Sequence, residues 1–546
     1  MIKKFFILLL IILIQTLSGV SDQPWVEDRA DSCTSIVVGK KATTDGSVIT
    51  SHTCDADYRT WLDIVPAKKN KKKGMEKIYK GKMHTAFSTD STGLEVMGEI
   101  PQVAETYKFF NTAYPAMNEY QLCMGESTFG GKKELKTDKG IFYIEELQRI
   151  ALQRCKTAKE AIKLIGKLIK KYGYCDSGEC ITISDKKEVW HMEIVGPGKG
   201  NSGGIWAAVR IPDDHIGCAA NISRIGKIVK NDPNNFLYSK NIIKRAIKLK
   251  FYNPKKDGVF KFWKAFGNSY TKKPFSIREY WVFNTLAPSL KLKFDADELP
   301  FSVKPDKKVS LNDVIQLFKS TYVGTKYDMT KNLLVKARKK KKKDGSEKEK
   351  TDKKNEEPEM VKSNIATPWM SRDIRKLLNT LRKDVVKRYR PIAVEYCAYH
   401  TVLQSRDWLP DQIGGVMWFG FENPAMTPKF PIHAGVTKLN SDLLIGSQRR
   451  FSLDSAAWAF RRASKLAQGR WNKAEKVIKE TLKHYEEKIY GDTEEIEKKA
   501  LKLIKMSPKK AKELLTVFSG DTVRLLTKKY IELGNDFWLY YRFRMR

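Results

Sequence analysis

Beyond its first 20 residues, the 546-residue chain contains no apolar run long enough to cross a membrane. A transmembrane helix needs about 20 consecutive apolar residues, so we expect no membrane span in the mature chain. The first 20 residues differ, because Lys3 and Lys4 precede an apolar core at residues 5–14 and a small, polar stretch at residues 16–19. This order is typical of a secretory signal peptide. It predicts an exported protein, which is secreted or delivered to a periplasm or a lysosome-like vesicle.

Cysteine and histidine are scarce, with 8 and 7 residues respectively. So few cysteines in so long a chain exclude a disulfide scaffold, although export permits single disulfides and Cys175 and Cys180 are the closest pair. The sequence has no CxxC pair and no closely spaced histidines, which are the usual signals of a zinc site. We therefore expect neither a metal nor a cofactor.

The sequence has fewer acidic residues (63) than lysines and arginines (101), so its formal net charge is +38. Such an excess is compatible with nucleic-acid binding, but the lysines are spread over the whole chain and accompany no RNA-binding or helix-turn-helix motif. The densest lysine segment, residues 336–359, also carries many acidic residues. Apolar residues do not recur in this segment at a helical or strand spacing. Its composition therefore predicts an exposed, disordered insertion. We expect no specific nucleic-acid partner.

Cys33 opens the run CTSIVVGK, about a dozen residues after the end of the signal. As the first residue of a mature chain, this cysteine would carry its own base, because an α-amine has a pKa of about 8 and lies beside the thiol. Residues 21–32 would then be a short propeptide. This interpretation predicts hydrolysis of an amide bond through a thioester. The alternative is a disulfide cysteine that follows an ordinary N-terminal arm.

Hydrophobic periodicity predicts a mixed order of sheet, helices and sheet. Residues 35–38 and 48–51 read as two strands joined by a turn at 44–47. Apolar spacing predicts helices at 142–155 and 158–171, and residues from 452 to the end are helical in character. Four further strands are predicted at 180–184, 189–195, 205–211 and 216–221. Trp369, Trp408 and Trp418 are expected to anchor the core.

Four segments resemble, in the same order, the PepD-type dipeptidases, which are cysteine N-terminal-nucleophile (Ntn) hydrolases. Each motif is weak alone, and the order starting at a processed cysteine carries the resemblance, which runs to about residue 490. The segments are CTSIVVGK with DGS at 45–47, NEY at 118–120 with GEST at 125–128, the stretch 206–225 that ends in NISRI, and RDWLP at 406–410 with GGVMW at 414–418.

The resemblance implies an α+β fold, the Ntn-hydrolase αββα sandwich, with a mainly helical C-terminal extension. It also implies self-catalysed cleavage between Ser32 and Cys33. The resulting division of the chain is a signal peptide at 1–20, a propeptide at 21–32, a catalytic core at 33–335, the charged insertion at 336–359, a continuation of the catalytic domain at 360–450 and a helical region at 451–546.

The resemblance also implies residue roles. Cys33 would be nucleophile and base, and Asp55 would orient its amine. Asn118 and Asn221 would donate N–H groups to the oxyanion, each worth about 3 kcal/mol. Arg224 would order the site or pair with a substrate carboxylate. Without the motif context, the aspartate is a turn residue and the asparagines are ordinary hydrogen-bonding residues.

His52 departs from the family pattern, in which many members carry arginine three residues before the aspartate. A histidine is shorter and can be neutral at pH 7. It either solves the same problem differently or gives the site another selectivity or an acidic pH preference. Glu126 is interpreted as structural. Asn221 also lies in the sequon Asn-Ile-Ser, so a glycan there would count against its place in the site.

These observations predict an exported cysteine dipeptidase that acts on small peptides and that can form a homo-oligomer. One alternative is another Ntn amidase, of the choloylglycine or penicillin acylase type, since fold analogy does not separate substrates. The other alternative is an inactive, basic surface-binding protein on the same scaffold.

Overall fold

The computed structural model describes residues 32–71, 74–92, 94–268, 272–337 and 359–542. The predicted signal peptide, the predicted propeptide up to residue 31 and most of the charged insertion lie outside these residues. The described chain mixes helices and strands throughout, which confirms the α+β class. In these ranges no helix combines the length and the apolarity needed to span a membrane.

The strands are numbered in chain order. They are β1 (Ser32–Val38), β2 (Val48–Asp55), β3 (Asp63–Val65), β4 (Lys68–Lys69), β5 (Met75–Lys80), β6 (Glu95–Pro101), β7 (Glu105–Thr106), β8 (Phe109–Asn111), β9 (Met117–Asn118), β10 (Cys123–Thr128), β11 (Gly178–Ser184), β12 (Val189–Val195), β13 (Ile205–Ile211), β14 (Ile216–Ala219), β15 (Phe236–Tyr238), β16 (Ser302–Val303), β17 (Leu334–Lys336), β18 (Met360–Lys362), β19 (Cys397–Ser405), β20 (Val416–Phe421) and β21 (Phe430–His433).

The helices are numbered in the same way. They are α1 (Ile144–Arg154), α2 (Ala158–Tyr172), α3 (Ile242–Lys248), α4 (Phe262–Phe266), α5 (Ile277–Leu286), α6 (Leu311–Phe318), α7 (Arg372–Leu381), α8 (Asp411–Gly414), α9 (Ala456–Gly469), α10 (Trp471–Met506) and α11 (Pro508–Trp538).

Two large antiparallel sheets form the centre of the molecule. One has seven strands in the order β16-β14-β1-β2-β19-β20-β21, and the other has eight in the order β15-β13-β12-β11-β10-β9-β8-β3. Strands from both sides of the charged insertion therefore share one sheet. The chain re-enters at β18, which pairs antiparallel with β17, and the Ala337 amide donates to the Glu359 carbonyl over 2.8 Å.

The two sheets pack face to face. The hydroxyl groups of Thr50 and Thr182 lie 2.6 Å apart across the interface, and the Ser35 hydroxyl donates to the Glu126 carbonyl over 3.0 Å. Gly125 permits this approach, because a Cβ there would lie only 2.5 Å from the Ser51 carbonyl oxygen. The first sheet thus brings β1 and β2 against β10 of the second.

Helices cover both outer faces. Helices α1 and α2 pack on the eight-stranded sheet, and α2 begins with a capping box between Thr157 and Glu160. Helices α9 and α11 pack on the seven-stranded sheet, where the Ser519 hydroxyl donates to the Pro431 carbonyl over 2.9 Å. The layers therefore follow the order helix, sheet, sheet, helix.

The elements predicted from periodicity are confirmed, including the hairpin, both early helices, the four later strands and the helical tail. The hairpin turns at Gly46, whose φ of +82° favours glycine. The Asp45 carboxylate accepts from the Ser47 amide there over 3.0 Å. The expectation for Trp408 is wrong, because its side chain lies over this turn at the surface and is 49% exposed. Trp369 and Trp418 are buried.

Candidate active site

Cys33 lies near the start of β1, in the centre of the seven-stranded sheet, and it is buried. In the antiparallel pairing with β2, Cys33 is opposite Cys54 and Ser32 is opposite Asp55. With Ser32 attached, the Cys33 nitrogen is a peptide amide, and it donates to Oδ1 of Asn221 over 3.0 Å. The nitrogen that sequence reasoning singled out is therefore held by a side chain from the loop after β14.

The Cys33 sulfur lies in a small polar cluster between the sheets. A ring nitrogen of His52 on β2 and a carboxyl oxygen of Glu126 on β10 lie within 4.8 Å of the sulfur and of each other. Burial raises the pKa of the Cys33 thiol well above its ordinary value, and Glu126 and Cys54 add to the rise. The thiol is therefore protonated at neutral pH, and it needs a base to act as a nucleophile.

Glu126 is interpreted as structural from the sequence, but the structure places its carboxyl group beside the Cys33 thiol. Burial raises the pKa of Glu126 to about 7, while hydrogen bonds, including one with Cys33, oppose the rise. The neighbouring Glu179 is also buried, and burial raises its pKa well above the ordinary value. Two carboxyl groups in a buried site favour one shared proton. The fourth residue of the GEST motif, Thr128, donates to Glu126 Oε1 over 2.9 Å.

His52 is a neutral, buried imidazole, since burial lowers its pKa to about 4. Its Nδ1 lies 2.8 Å from the carbonyl oxygen of Glu126 and 3.2 Å from the amide nitrogen of the same residue. The shorter contact favours a proton on Nδ1 and leaves a lone pair on Nε2. Nε2 has no hydrogen-bond partner among the described residues. The rings of Tyr114 and Tyr399 flank the imidazole at 5.4 and 5.6 Å.

Asp55 ends β2 and is fully buried. Its Oδ2 accepts from Nη2 of Arg390 over 2.8 Å and from the Thr53 hydroxyl over 3.0 Å. Burial raises the pKa of the Asp55 carboxyl, and the adjacent Arg390 opposes that rise. Oδ1 has no hydrogen-bond partner within the described ranges. A carboxylate oxygen is thus left without a donor on the strand residue opposite Ser32.

Two arginines complete the site, and sequence reasoning missed both. Arg278 on α5 donates to the Cys33 carbonyl over 2.8 Å, to the Thr34 hydroxyl over 3.0 Å and to the Ala220 carbonyl over 2.8 Å. Arg390 supplies the cation beside Asp55, with Nη2 at 2.8 Å from Oδ2. Because Arg278 and Arg390 lie 245 and 335 residues from their partners in the chain, no local pattern reveals them.

Asn221 contacts Cys33 through the oxygen of its side-chain amide. Its Oδ1 faces the Cys33 nitrogen, and Nδ2 donates to the Thr128 carbonyl over 2.6 Å. Its own backbone amide donates to the Ser127 hydroxyl over 2.8 Å. The residue has a φ of +60°, a left-handed conformation that asparagine tolerates better than most side chains.

Asn118 lies outside the cluster. Both hydrogens of its side-chain amide are engaged, because Nδ2 donates to the carbonyls of Leu152 and Cys155 over 2.9 and 2.8 Å. Its Oδ1 accepts from the amides of Tyr120 and Leu122. These bonds join the β9–β10 turn to the end of α1 and leave no N–H of Asn118 free to donate to an oxyanion. The predicted role of Asn118 as an oxyanion donor therefore does not fit this geometry.

Arg224 is also directed away from the nucleophile. Its guanidinium donates to the carbonyls of Pro274, Pro300 and Phe301. The residue is buried and ties the loop after β14 to the segments before α5 and β16. The geometry therefore gives it a structural role in place of the predicted contact with substrate.

All eight cysteines lie in the described part of the chain, and none of them forms a disulfide there. Cys175 and Cys180, the closest pair in sequence, form no disulfide. Cys33 and Cys180 each lie beside an imidazole and a carboxyl group, but at Cys180 these two groups, from His191 and Glu193, contact each other over 2.8 Å. Such a cysteine beside groups that can exchange protons is the kind of site that cysteine hydrolases use.

Comparison with known proteins gives the class. The chain matches peptidase family C69 over residues 32–484 and belongs to that family of peptidases. It is 27% identical over 420 residues to a probable dipeptidase of Latilactobacillus sakei, covering 73% of each chain. It is 24% identical over 419 residues to a probable dipeptidase B of Lactococcus lactis subsp. lactis, covering 75% of each, and 22% identical over 423 residues to a probable dipeptidase of Salmonella dublin, covering 74% of this chain and 81% of that one. The predicted resemblance to this dipeptidase family is confirmed.

Proposed function

We propose that the protein is an exported cysteine dipeptidase of the Ntn-hydrolase type, with Cys33 as its N-terminal nucleophile. One observation carries the proposal: the Cys33 nitrogen is held by Asn221, while Asp55, the residue paired with Ser32, has an oxygen without a hydrogen-bond partner among the described residues. Membership of a peptidase family, and relatives named as probable dipeptidases, support the reaction class and small peptides as substrates. The helix–sheet–sheet–helix layering supports the Ntn assignment.

Cleavage of the Ser32–Cys33 peptide bond activates the enzyme. It converts the Cys33 amide nitrogen into an amine with a pKa of about 8, which can accept a proton near neutral pH. The hydrogen bond to Asn221 persists, and Asp55 Oδ1 gains a donor from the new amine. The family match begins at Ser32, which supports a mature chain that starts at the next residue.

In the mature enzyme the Cys33 thiol gives its proton to the α-amine, and the sulfur attacks the peptide carbonyl carbon. The carbonyl oxygen becomes an oxyanion, to which we assign the second N–H of Asn221 Nδ2 as donor. The C–N bond then breaks as the ammonium group protonates the leaving amine. Water attacks the thioester, gives its proton to the same amine, and the thiol leaves with that proton.

The test combines the mature N-terminus with a substrate panel. We expect N-terminal sequencing and intact mass of secreted protein to show a chain that begins at Cys33, and dipeptides to be hydrolysed without added metal. Cys33→Ala should keep residues before position 33 and hydrolyse nothing, whereas the matched control Cys175→Ala, which removes a partly exposed thiol, should process and hydrolyse normally. Hydrolysis of acyl amides alone would indicate another Ntn amidase, and a processed chain that hydrolyses neither would indicate a binding protein.

A further inference from the structure

The cluster at Cys33 contains three kinds of metal ligand from three strands. The thiol comes from β1, the imidazole of His52 from β2 and the carboxyl group of Glu126 from β10, and one ligand atom of each lies within 4.8 Å of the other two. All three residues are fully or almost fully buried. The packing of the two sheets therefore brings together a set of sulfur, nitrogen and oxygen atoms that the spacing in sequence does not reveal.

His52 carries a buried atom that no described residue satisfies. Its Nε2 has no hydrogen-bond partner within the described ranges, and leaving such an atom unpaired costs about 1–3 kcal/mol. A ligand that pairs with Nε2 is therefore favoured. The other ring nitrogen, Nδ1, contacts the Glu126 carbonyl over 2.8 Å. A bond from the second ring N–H to a backbone carbonyl is the usual way that a metal-binding histidine is oriented.

Charge and size favour Zn²⁺ among common divalent ions. A thiolate and a carboxylate together neutralise its charge in a buried site, and thiolate with imidazole is a ligand set that zinc prefers to magnesium or calcium. Zinc holds sulfur at about 2.3 Å and nitrogen or oxygen at about 2.0–2.2 Å, which puts tetrahedral ligand atoms about 3.3–3.7 Å apart. The three ligand atoms lie within 4.8 Å of one another, so the side chains must move closer together to reach that geometry.

We propose that Zn²⁺ binds reversibly to Cys33, His52 and Glu126 and thereby blocks the nucleophile, so that the peptidase is inhibited by metal. The inference rests on the proposed function in two ways: it requires access to the thiol, and it requires a fourth ligand. That ligand is the freed α-amine, which chelates the metal together with the sulfur of the same residue. On binding, the S–H bond breaks, a Zn–S bond forms and the proton leaves to solvent. The histidine that replaces the family's arginine is what supplies the nitrogen ligand.

In a second cluster of the same residue types, the side chains already bond to other groups of the protein. Cys180, His191 and Glu193 are also buried together, with His191 Nε2 at 2.8 Å from Glu193 Oε1. The carboxyl group there also accepts from the Ser223 hydroxyl and from backbone amides that include that of Ile225. With its imidazole and carboxyl group already engaged, this cluster is a matched control for the one at Cys33.

The experiment uses metal-free mature protein and reads metal binding directly. Co²⁺ is titrated as a spectroscopic probe, because tetrahedral thiolate coordination gives a charge-transfer band and strong visible bands, and Zn²⁺ affinity is measured by competition with a chromophoric chelator. We expect one tight site, loss of the thiolate band in Cys33→Ser, and Zn²⁺ affinity lowered about tenfold or more in His52→Gln and Glu126→Gln, since even residues that only orient ligands contribute that much. His191→Gln should bind as the wild type does.

Zn²⁺ affinity and cobalt spectra that are unchanged in both His52→Gln and Glu126→Gln would overturn the proposal. His52→Arg, which restores the family residue, gives a second test if the glutamine variant folds poorly, and circular dichroism of each variant checks the fold. Because binding is measured without substrate, the two proposals separate. Dipeptide hydrolysis without a metal site at Cys33 overturns this inference alone, and a metal site without hydrolysis overturns the dipeptidase function alone.

Discussion

Asp55 and Asp57 lie two residues apart at the end of β2, and they show how burial decides what a carboxylate can do. Asp55 is fully buried, pairs with Arg390 and keeps one oxygen without a donor among the described residues. Asp57 pairs with Arg449 over 2.7 Å at the surface, where the two side chains are 37% and 80% exposed. Only the first is placed to hold an amine at Cys33.

Asp55→Asn is expected to lower kcat about 100-fold or more, because it removes the charge that orients and stabilises the protonated amine, and a positioned acid–base group contributes about 10²–10⁴-fold. Steady-state kinetics on a dipeptide, with N-terminal sequencing of the same preparation, measures the effect. The surface variant Asp57→Asn should keep normal kcat. Equal losses in the two variants would contradict the role of Asp55.

Arg390→Ala is expected to lower the free energy of unfolding by about 3 kcal/mol or more, since it leaves the Asp55 carboxylate buried without its cation. Arg449→Ala removes the exposed counterpart and should cost less than about 1 kcal/mol. Urea unfolding followed by circular dichroism gives both values. A loss for Arg390→Ala no greater than that for Arg449→Ala would show that the buried pair is not what holds this end of the sheet.

Among the elements, α10 combines a buried apolar face with an ion cluster that ties it to the seven-stranded sheet. Glu497 on this helix accepts from Nη1 and Nη2 of Arg406 over 2.8 and 2.7 Å and from Nε2 of His433 over 2.9 Å. Burial alone would raise the pKa of Glu497, but the hydrogen bonds from His433 and Arg406 outweigh it and hold the pKa at about 2. The helix is therefore tied to β21 and to the end of β19.

Because the folded-state pKa of Glu497 lies below its unfolded value, its contribution to stability is complete above about pH 4.5 and disappears as the pH falls towards about 2. The shift corresponds to about 3 kcal/mol. We expect Glu497→Gln to be less stable than the wild type by that order at pH 7, with the difference shrinking below pH 4. Chemical unfolding across this pH range measures it, and a difference that stays constant with pH would contradict the assignment.

Sequence periodicity was sufficient for most of these elements but not for their connections. The amphipathic pattern of α2 and the turn residues around Gly46 are local signals, so this helix and this turn could be predicted. The pairing of β2 with β19 joins residues hundreds of positions apart, and local patterns do not record it. The same limit applies to Glu126. A sequence motif places this residue near the site, but its side chain reaches Cys33 only because the two sheets pack against each other.

At the scale of the whole molecule, the seven-stranded sheet joins chain segments from both sides of the charged insertion. β1 and β2 precede it, and β19, β20 and β21 follow it. β17 precedes the charged insertion, β18 follows it, and the two strands pair with each other. A break in the chain between them therefore leaves the contacts within the seven-stranded sheet in place. The strands before and after the insertion therefore build one core.

A protease site introduced within residues 338–358 and then cut is expected to give two fragments that elute together on size exclusion and keep dipeptidase activity within about twofold. The reason is that strands before and after these residues share one packed sheet, which a break in the connection does not disrupt. Gel analysis under denaturing conditions confirms the cut. An uncut sample of the same variant is the control. Fragments that separate without denaturant, or lose activity on cutting, would contradict a shared core.

The hydrogen bonds of Asn221 also bear on the choice of host for producing this protein. Its Nδ2 is the atom to which an N-linked sugar attaches at the sequon Asn-Ile-Ser, and the same atom donates to Thr128 while Oδ1 holds the Cys33 nitrogen. A sugar added while the chain is still unfolded would replace one of those hydrogens and prevent the side chain from closing on the nucleophile. In a glycosylating secretory pathway, the fraction of molecules whose sequon stays unoccupied therefore sets an upper limit on the fraction that can become active.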